Sequence, residues 1–333
     1  MKEQSNIEEA NPHLAFSYYN SCFADGAGSQ LQRIYGIYAL ARFLGASYIH
    51  TPLQKIFYHG FHSIETNQDD VHLVERYNEL FVIPSDQPLS KYAKIHYLFR
   101  LKNDFSFLHS LKEQLIKSRN FVLLSIGCPF FLVNQQPEMI HHIKKVTPFE
   151  RTPSSIFKIV LHVRRGDLLI SPEKNRLLPN SYYINLNLQI IDVLRSLKIP
   201  FTCELHTEIP SKTLLVTAEH HSMKHRLEEQ VLITPESQHM EEFATIPHLT
   251  IHNNDDPLAA LRSFATADLF IMSRSSFSYL GAMLNKKGII VYHPFWCATP
   301  LEWLDATHQP SFHERLIMAC EKWKNQQKAP WSI

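Results

Sequence analysis

Hydrophobic positions fall into short runs separated by polar, helix-patterned stretches, and the clearest run is Ile156 to Val163, broken only by Lys158 and His162. Apolar runs of this length, rich in β-branched residues, predict buried strands of an α/β sheet. His13 to Tyr19 reads as an earlier strand. After Gly26-Ala27-Gly28-Ser29-Gln30 a helix places Leu31, Ile34, Tyr38 and Ala41 on one face and ends near Gly45. Ala46 to Thr51 predicts a strand and Asp69 to Phe81 a helix, while residues 85–120 carry mixed helical patterning. The second half alternates more cleanly. Strands are predicted at 156–163, Phe201–Leu205, Leu249–His252, Leu269–Met272 and Gly288–Tyr292. Between them the pattern predicts helices near Ser181–Lys198, Ser211–Gln230, Pro257–Ala267 and Phe277–Leu284. A last helix puts Phe312, Leu316, Cys320 and Trp323 on one face. Repeated strand–helix alternation predicts a parallel sheet covered on both faces.

A chain of 333 residues suits two domains rather than one core. The stretch Val146 to Ser155, with two prolines and small hydroxyls before a strand, is the natural boundary. It separates an N-terminal domain, 1–150, from a C-terminal domain, 156–305, and leaves 306–333 as a helix packing back on the molecule. Composition narrows the class. With 44% hydrophobic and 20% charged residues the chain reads as soluble and globular. The 33 basic and 32 acidic residues balance, which argues against a nucleic-acid partner and makes any anion site a local one. Cys22, Cys128, Cys203, Cys297 and Cys320 are odd in number and lack metal-type spacing, so buried thiols in a reducing compartment are expected. The polar Met1–Pro12 is unlike a signal peptide, and the apolar run Phe121–Val133 is too short to span a bilayer. These features predict a cytoplasmic protein with no transmembrane segment.

Chemistry is expected beyond the carboxyl ends of the strands, where ligands of open α/β sheets bind. Three polar turns qualify: His162 to Asp167, His206 to Glu208, and Ser273 to Ser276. Arg164 and Arg165 suit a diphosphate, because a guanidinium is always charged and its fork of donors matches phosphate oxygens. Asp167 would orient one of them; a surface ion-pair cluster is the plainer alternative. Ser275 and Ser276 open a helix, so they either hold phosphate oxygens at the positive end of its dipole or simply cap it. Gly26 and Gly28 form a strand–turn–helix opening that reads equally as a binding loop or a tight turn.

No metal site is expected. His220, His221 and His225 have helical ligand spacing but lack a supporting carboxylate set, and a solvated helix face explains them. Asp255-Asp256 reads as the acidic start of the helix opened by Pro257.

The stretch 162–167, His-x-Arg-Arg-x-Asp, resembles the signature of the GDP-fucose-dependent fucosyltransferase superfamily, which spans α1,2-, α1,6- and protein O-fucosyltransferases. Asp268 to Gly281 resembles the late motif of the α1,2 group, and Gly26–Gln30 its N-terminal glycine loop. The resemblance implies a GT-B architecture, two Rossmann-like domains with parallel sheets facing across a cleft. It implies an inverting, metal-independent glycosyltransferase without a cofactor, moving fucose from GDP-fucose to a hydroxyl of a glycan acceptor. Arg164 would hold the β-phosphate and His162 would lie close to the nucleotide. Arg165 and Asp167 would brace the turn, and Ser275, Ser276 and Phe277 would line the diphosphate pocket. Glu173, then Asp25, are the candidates for the base. Departures exist: Arg274 replaces an asparagine or small residue, Tyr279-Leu280 replaces a tryptophan pair, and Glu173 lies one position off the α1,6 spacing. Two alternatives stand beside fucose transfer: another nucleotide sugar as donor, or a non-catalytic nucleotide- or glycan-binding protein on the same scaffold.

Overall fold

The computed structural model describes residues 11–19, 26–56, 71–92, 94–100, 105–128, 139–169, 176–221, 226–308 and 311–328. The chain divides into two compact units that change over between Pro148 and Phe149, with Ala298–Pro300 grouped with the first.

In the first unit, strands β1 (Asn11–Tyr18), β2 (Ala46–Ile49), β3 (Lys94–Arg100) and β4 (Val122–Cys128) form a parallel sheet in the order β2-β1-β4-β3. Helices α1 (Ala27–Phe43), α2 (Val71–Leu80), α3 (Phe105–Ser118) and α4 (Ile140–Lys145) accompany them. Two expectations change here. The mixed stretch 85–120 contains a strand, β3, as well as a helix. And α1 is not a one-faced helix: Gln30, Gln32 and Arg33 are buried along with Leu31, Ile34, Tyr38 and Ala41. Gly45 follows α1 at φ +59, a left-handed conformation that a helix end accepts most cheaply as glycine.

In the second unit a six-stranded parallel sheet runs β12-β11-β10-β5-β6-β9. Its strands are β5 (Phe157–Val163), β6 (Phe201–Thr207), β9 (Leu249–Asn253), β10 (Leu269–Ile271), β11 (Ile289–Tyr292) and β12 (Leu304–Asp305). Helices α5 (Asn180–Ser196), α6 (Pro257–Thr266), α7 (Ser276–Leu284) and α8 (Ser311–Lys328) belong to the same unit. Strand β5 lies between β10 and β6, and every residue of it except Lys158 is buried. That placement explains its unbroken apolar run, since a parallel strand inside a sheet has no solvated face. The predicted face of α8 (Phe312, Leu316, Cys320 and Trp323) is buried in the core formed by β5, β6, β10 and α5.

One predicted helix is wrong. Ser211–Gln230 forms instead most of an antiparallel hairpin, β7 (Leu214–His221) with β8 (Arg226–Ile233). Its Glu, Lys and Leu content favours a helix locally, but cross-strand pairing overrides propensity. His220 and His221 therefore stand on a strand without helical ligand spacing, and His225 lies outside the described residues. Cys203, Cys297 and Cys320 are buried free thiols, and burial pushes Cys203 up to about 11 and Cys320 up to about 12. Among the described residues, no helix is long and apolar enough to cross a membrane.

Candidate functional site

All six strands of the second sheet are parallel, so their carboxyl ends share one side. The expected polar turns after β5, β6 and β10 open there. Strand β5 ends at Val163, and Arg164 follows immediately, half-buried. The chain then turns through Gly166–Leu169, a 3-10 turn that Gly166 enters at φ +52. Only glycine takes that conformation without steric cost.

The two arginines occupy different environments. Arg165 is buried, and its guanidinium is used up inside the turn. Nη1 donates to the Arg164 carbonyl at 2.9 Å and the Leu178 carbonyl at 3.4 Å, and Nη2 donates to Asn180 Oδ1. Asn180 in turn donates to the carbonyls of Gln238 and His239, both at 3.1 Å. Arg164 instead places its charge beside His162, whose pKa is held well below the ordinary 6.5, first by burial and then by Arg164, His206 and Arg165.

His162 joins the arginine turn to the serine turn. Its Nδ1 lies 2.5 Å from Ser278 Oγ and 3.2 Å from Ser273 Oγ, and those two hydroxyls are 3.1 Å apart. The ring packs on Phe264 at 5.1 Å and edge-on to Phe277 at 5.7 Å. Ser275 caps α7: its Oγ accepts from the Phe277 N–H at 3.1 Å, as a serine at this position is suited to do. Ser276 is the first residue of α7, at the positive end of the helix dipole. Sequence reasoning placed Ser273 in the expected turn without a role and missed Ser278. Both lie in the serine-rich stretch, but only folding shows that they grip His162.

The glycine loop of the first unit is less unusual than its sequence suggests. Gly26 is the extended residue before α1, at φ −69, and Gly28 is buried in the first helical turn; neither needs the left-handed region. Gln30 is fully buried, and its side-chain amide donates to the Lys55 carbonyl at 2.8 Å. Asp25 and Glu173, the expected bases, lie outside the described residues, as does the side chain of Asp167.

The parallel register extends the polar row beyond the motif. His162 pairs with His206, and His206 with His252, so three histidines cross β5, β6 and β9 side by side. Glu204, two residues before His206, completes a group of potential metal ligands with His206 and His252. Its Oε2 meets Lys158 Nζ at 2.8 Å and accepts from Ser263 Oγ at 2.7 Å. Burial alone would raise the Glu204 pKa, but contacts with His206, Lys158 and Ser263 outweigh it and hold the carboxyl down at about 2. Asp256 caps α6 ahead of Pro257, as expected of a helix start. Asp255 has a separate partner, His252 Nδ1 at 2.8 Å.

No protein-family model and no curated protein matches this chain. Among solved structures, it is similar to a mutant of Arabidopsis thaliana FUT1 in complex with GDP, at 10% identity and a TM-score of 0.39, over 88% of this chain and 74% of that one. It is also similar to the apo form of POFUT1, at 10% identity and a TM-score of 0.38, over 86% of this chain and 99% of that one. POFUT1 in complex with GDP gives 11% identity and a TM-score of 0.36 over the same shares, 86% and 99%.

Proposed function

We propose that this protein is a glycosyltransferase that moves fucose from GDP-fucose to a hydroxyl of a glycan acceptor, inverting the anomeric centre. One observation supports this above the others: His162 ties the Arg164 turn to the start of α7 through Ser273 and Ser278. The turn that carries Arg164 and a helix N-terminus are thereby held at one end of the sheet, an arrangement suited to a diphosphate.

In the proposed reaction the acceptor oxygen attacks the anomeric carbon as the bond from that carbon to the β-phosphate oxygen breaks. GDP departs with the electron pair, and the acceptor proton passes to a base, Glu173 or Asp25. Negative charge grows on the β-phosphate in the transition state, so a positioned Arg164 stabilises it more than the ground state. Arg164 and the α7 dipole supply the countercharge, and this reading needs neither metal nor cofactor on the diphosphate. Arg165 holds the turn, and Phe277 packs against His162.

Arg164→Ala should lower GDP release by roughly 10²–10³ while its thermal unfolding stays near wild type. The reading is sunk if the wild-type protein releases no GDP from GDP-fucose across a glycan library and Arg164→Ala leaves nucleotide affinity unchanged. Arg164 addresses the diphosphate and not the sugar, so another nucleotide sugar is the second reading. Thermal shifts with GDP-, UDP- and dTDP-sugars separate the two. Stabilisation by GDP without turnover would favour the non-catalytic alternative.

A further inference from the structure

We propose that Glu204, His206 and His252 form a divalent metal site of the zinc class on the second sheet, with Asp255 orienting His252. The inference is independent of the transfer reaction, because the residues it uses play no part in holding the diphosphate.

Parallel pairing sets His206 beside His252, and the two-residue repeat of a strand puts Glu204 on the same face as His206. The three ligand atoms lie within 4.8 Å of one another. The imidazoles of His206 and His252 stack at 4.6 Å with planes 8° apart.

His206 points most directly to a ligand. It is only 6% exposed, yet neither ring nitrogen has a hydrogen-bond partner. Its Nε2 stands 3.6 Å from Glu204 Oε2, too long for a hydrogen bond. Buried polar atoms without partners are costly and uncommon. A cation on one nitrogen would remove that cost.

His252 carries the arrangement that commonly supports a metal-bound imidazole. Its Nδ1 faces Asp255 Oδ2 at 2.8 Å, and since an ionised carboxylate only accepts, Nδ1 holds the proton and Nε2 presents a lone pair. Glu204 supplies the carboxylate; its Oε2, the oxygen 3.6 Å from His206 Nε2, also takes Lys158 and Ser263, so a cation there must compete with both. Two imidazoles and one carboxylate, with a fourth position for water, form a zinc-type donor set. Bonds of about 2.0–2.2 Å require the set to contract. His252, 30% exposed, is the ring with room to turn out of the stack. The Lys158 ammonium on Glu204 is the competing charge.

The test is equilibrium dialysis of metal-stripped protein against Zn²⁺, followed by metal analysis, with Co²⁺ as a spectroscopic probe of a four-coordinate site. The wild type should bind about one equivalent, and Co²⁺ should give a visible tetrahedral band. His252→Ala should weaken binding about 100-fold or more, and Asp255→Asn roughly 10- to 100-fold. Lys158→Met, which removes the competitor, should tighten it. Circular dichroism establishes that each variant folds; Asp255→Asn changes the least bulk and serves if His252→Ala does not fold. Failure of the wild type to bind Zn²⁺ overturns the proposal. Binding that survives both His252→Ala and Asp255→Asn also overturns it, since the ion would then sit elsewhere.

Discussion

Arg164 and Arg165 are neighbours of identical chemistry, and their surroundings separate their roles. Arg165 donates to two carbonyls and to Asn180 in a buried turn, so its removal leaves acceptors without donors. Arg165→Ala should cost about 2–4 kcal/mol in urea unfolding, and Arg165→Lys should recover little, because one ammonium cannot span the fork. His162 makes a prediction of a different kind. Its pKa is depressed by burial, by Arg164 and Arg165 on its own turn and by His206 on the adjacent strand. Below about pH 6.5 the unfolded chain takes up a proton that folded His162 refuses. The stability present above that pH is therefore lost on acidification, by at most about 1.4 kcal/mol per pH unit until the folded pKa is reached. His162→Gln should flatten this part of the stability–pH curve between about pH 6.5 and 5. Superimposable wild-type and variant slopes would show that His162 does not titrate this way.

At the scale of elements, α6 and α7 meet closely. A methyl group on Gly281 would lie 2.6 Å from Cβ of Phe264, an atom that cannot swing aside. Phe264 stacks on Phe270 at 4.6 Å and touches His162, His206 and Phe277. Gly281→Ala should cost about 1–3 kcal/mol by thermal melting and, on the proposed function, also weaken GDP-fucose binding, because the displaced ring bears on His162. Here the glycine is needed for close approach, not for an unusual backbone angle. The elements themselves were largely legible: the strand–helix alternation of the second half appears where the hydrophobic period places it. The exceptions are β3, β4, β12 and the β7–β8 hairpin: β4 lies in the apolar run Phe121–Val133, weighed only as a membrane span, and the hairpin's two strands pair with each other against a helical local composition.

At the scale of the molecule, the second unit is closed by its last helix. Asp268 precedes β10 and is buried, and its Oδ2 accepts from the Lys158 N–H at 2.9 Å. Its Oδ1 accepts from Trp323 Nε1 at 2.6 Å and pairs with Arg151. Trp323 also packs edge-on to Phe157 at 4.9 Å. One carboxylate thus joins the boundary segment, the central strand and α8. Trp323→Phe should cost about 1–2 kcal/mol for the lost donor, and Trp323→Ala about 3–5 kcal/mol for the emptied core. Chemical denaturation followed by circular dichroism checks both, and a Trp323→Phe variant as stable as the wild type would argue against the hydrogen bond.

By itself the sequence determined the fold class and the clearest strand. It also placed the Arg-Arg turn after that strand and a capping serine at the helix start. All of these depend on residues close together in the chain, where period, glycine and capping chemistry act directly. The tertiary structure decided which side chains meet. His162 and Ser278 are 116 positions apart, and His206 and His252 are 46 apart by number; only the packing of α7 and the parallel register of β5, β6 and β9 bring them together. Burial then separated the paired arginines and left His206 enclosed without a hydrogen bond. Such contacts depend on register, and a strand can be recognised in sequence without revealing the register at which it will pair.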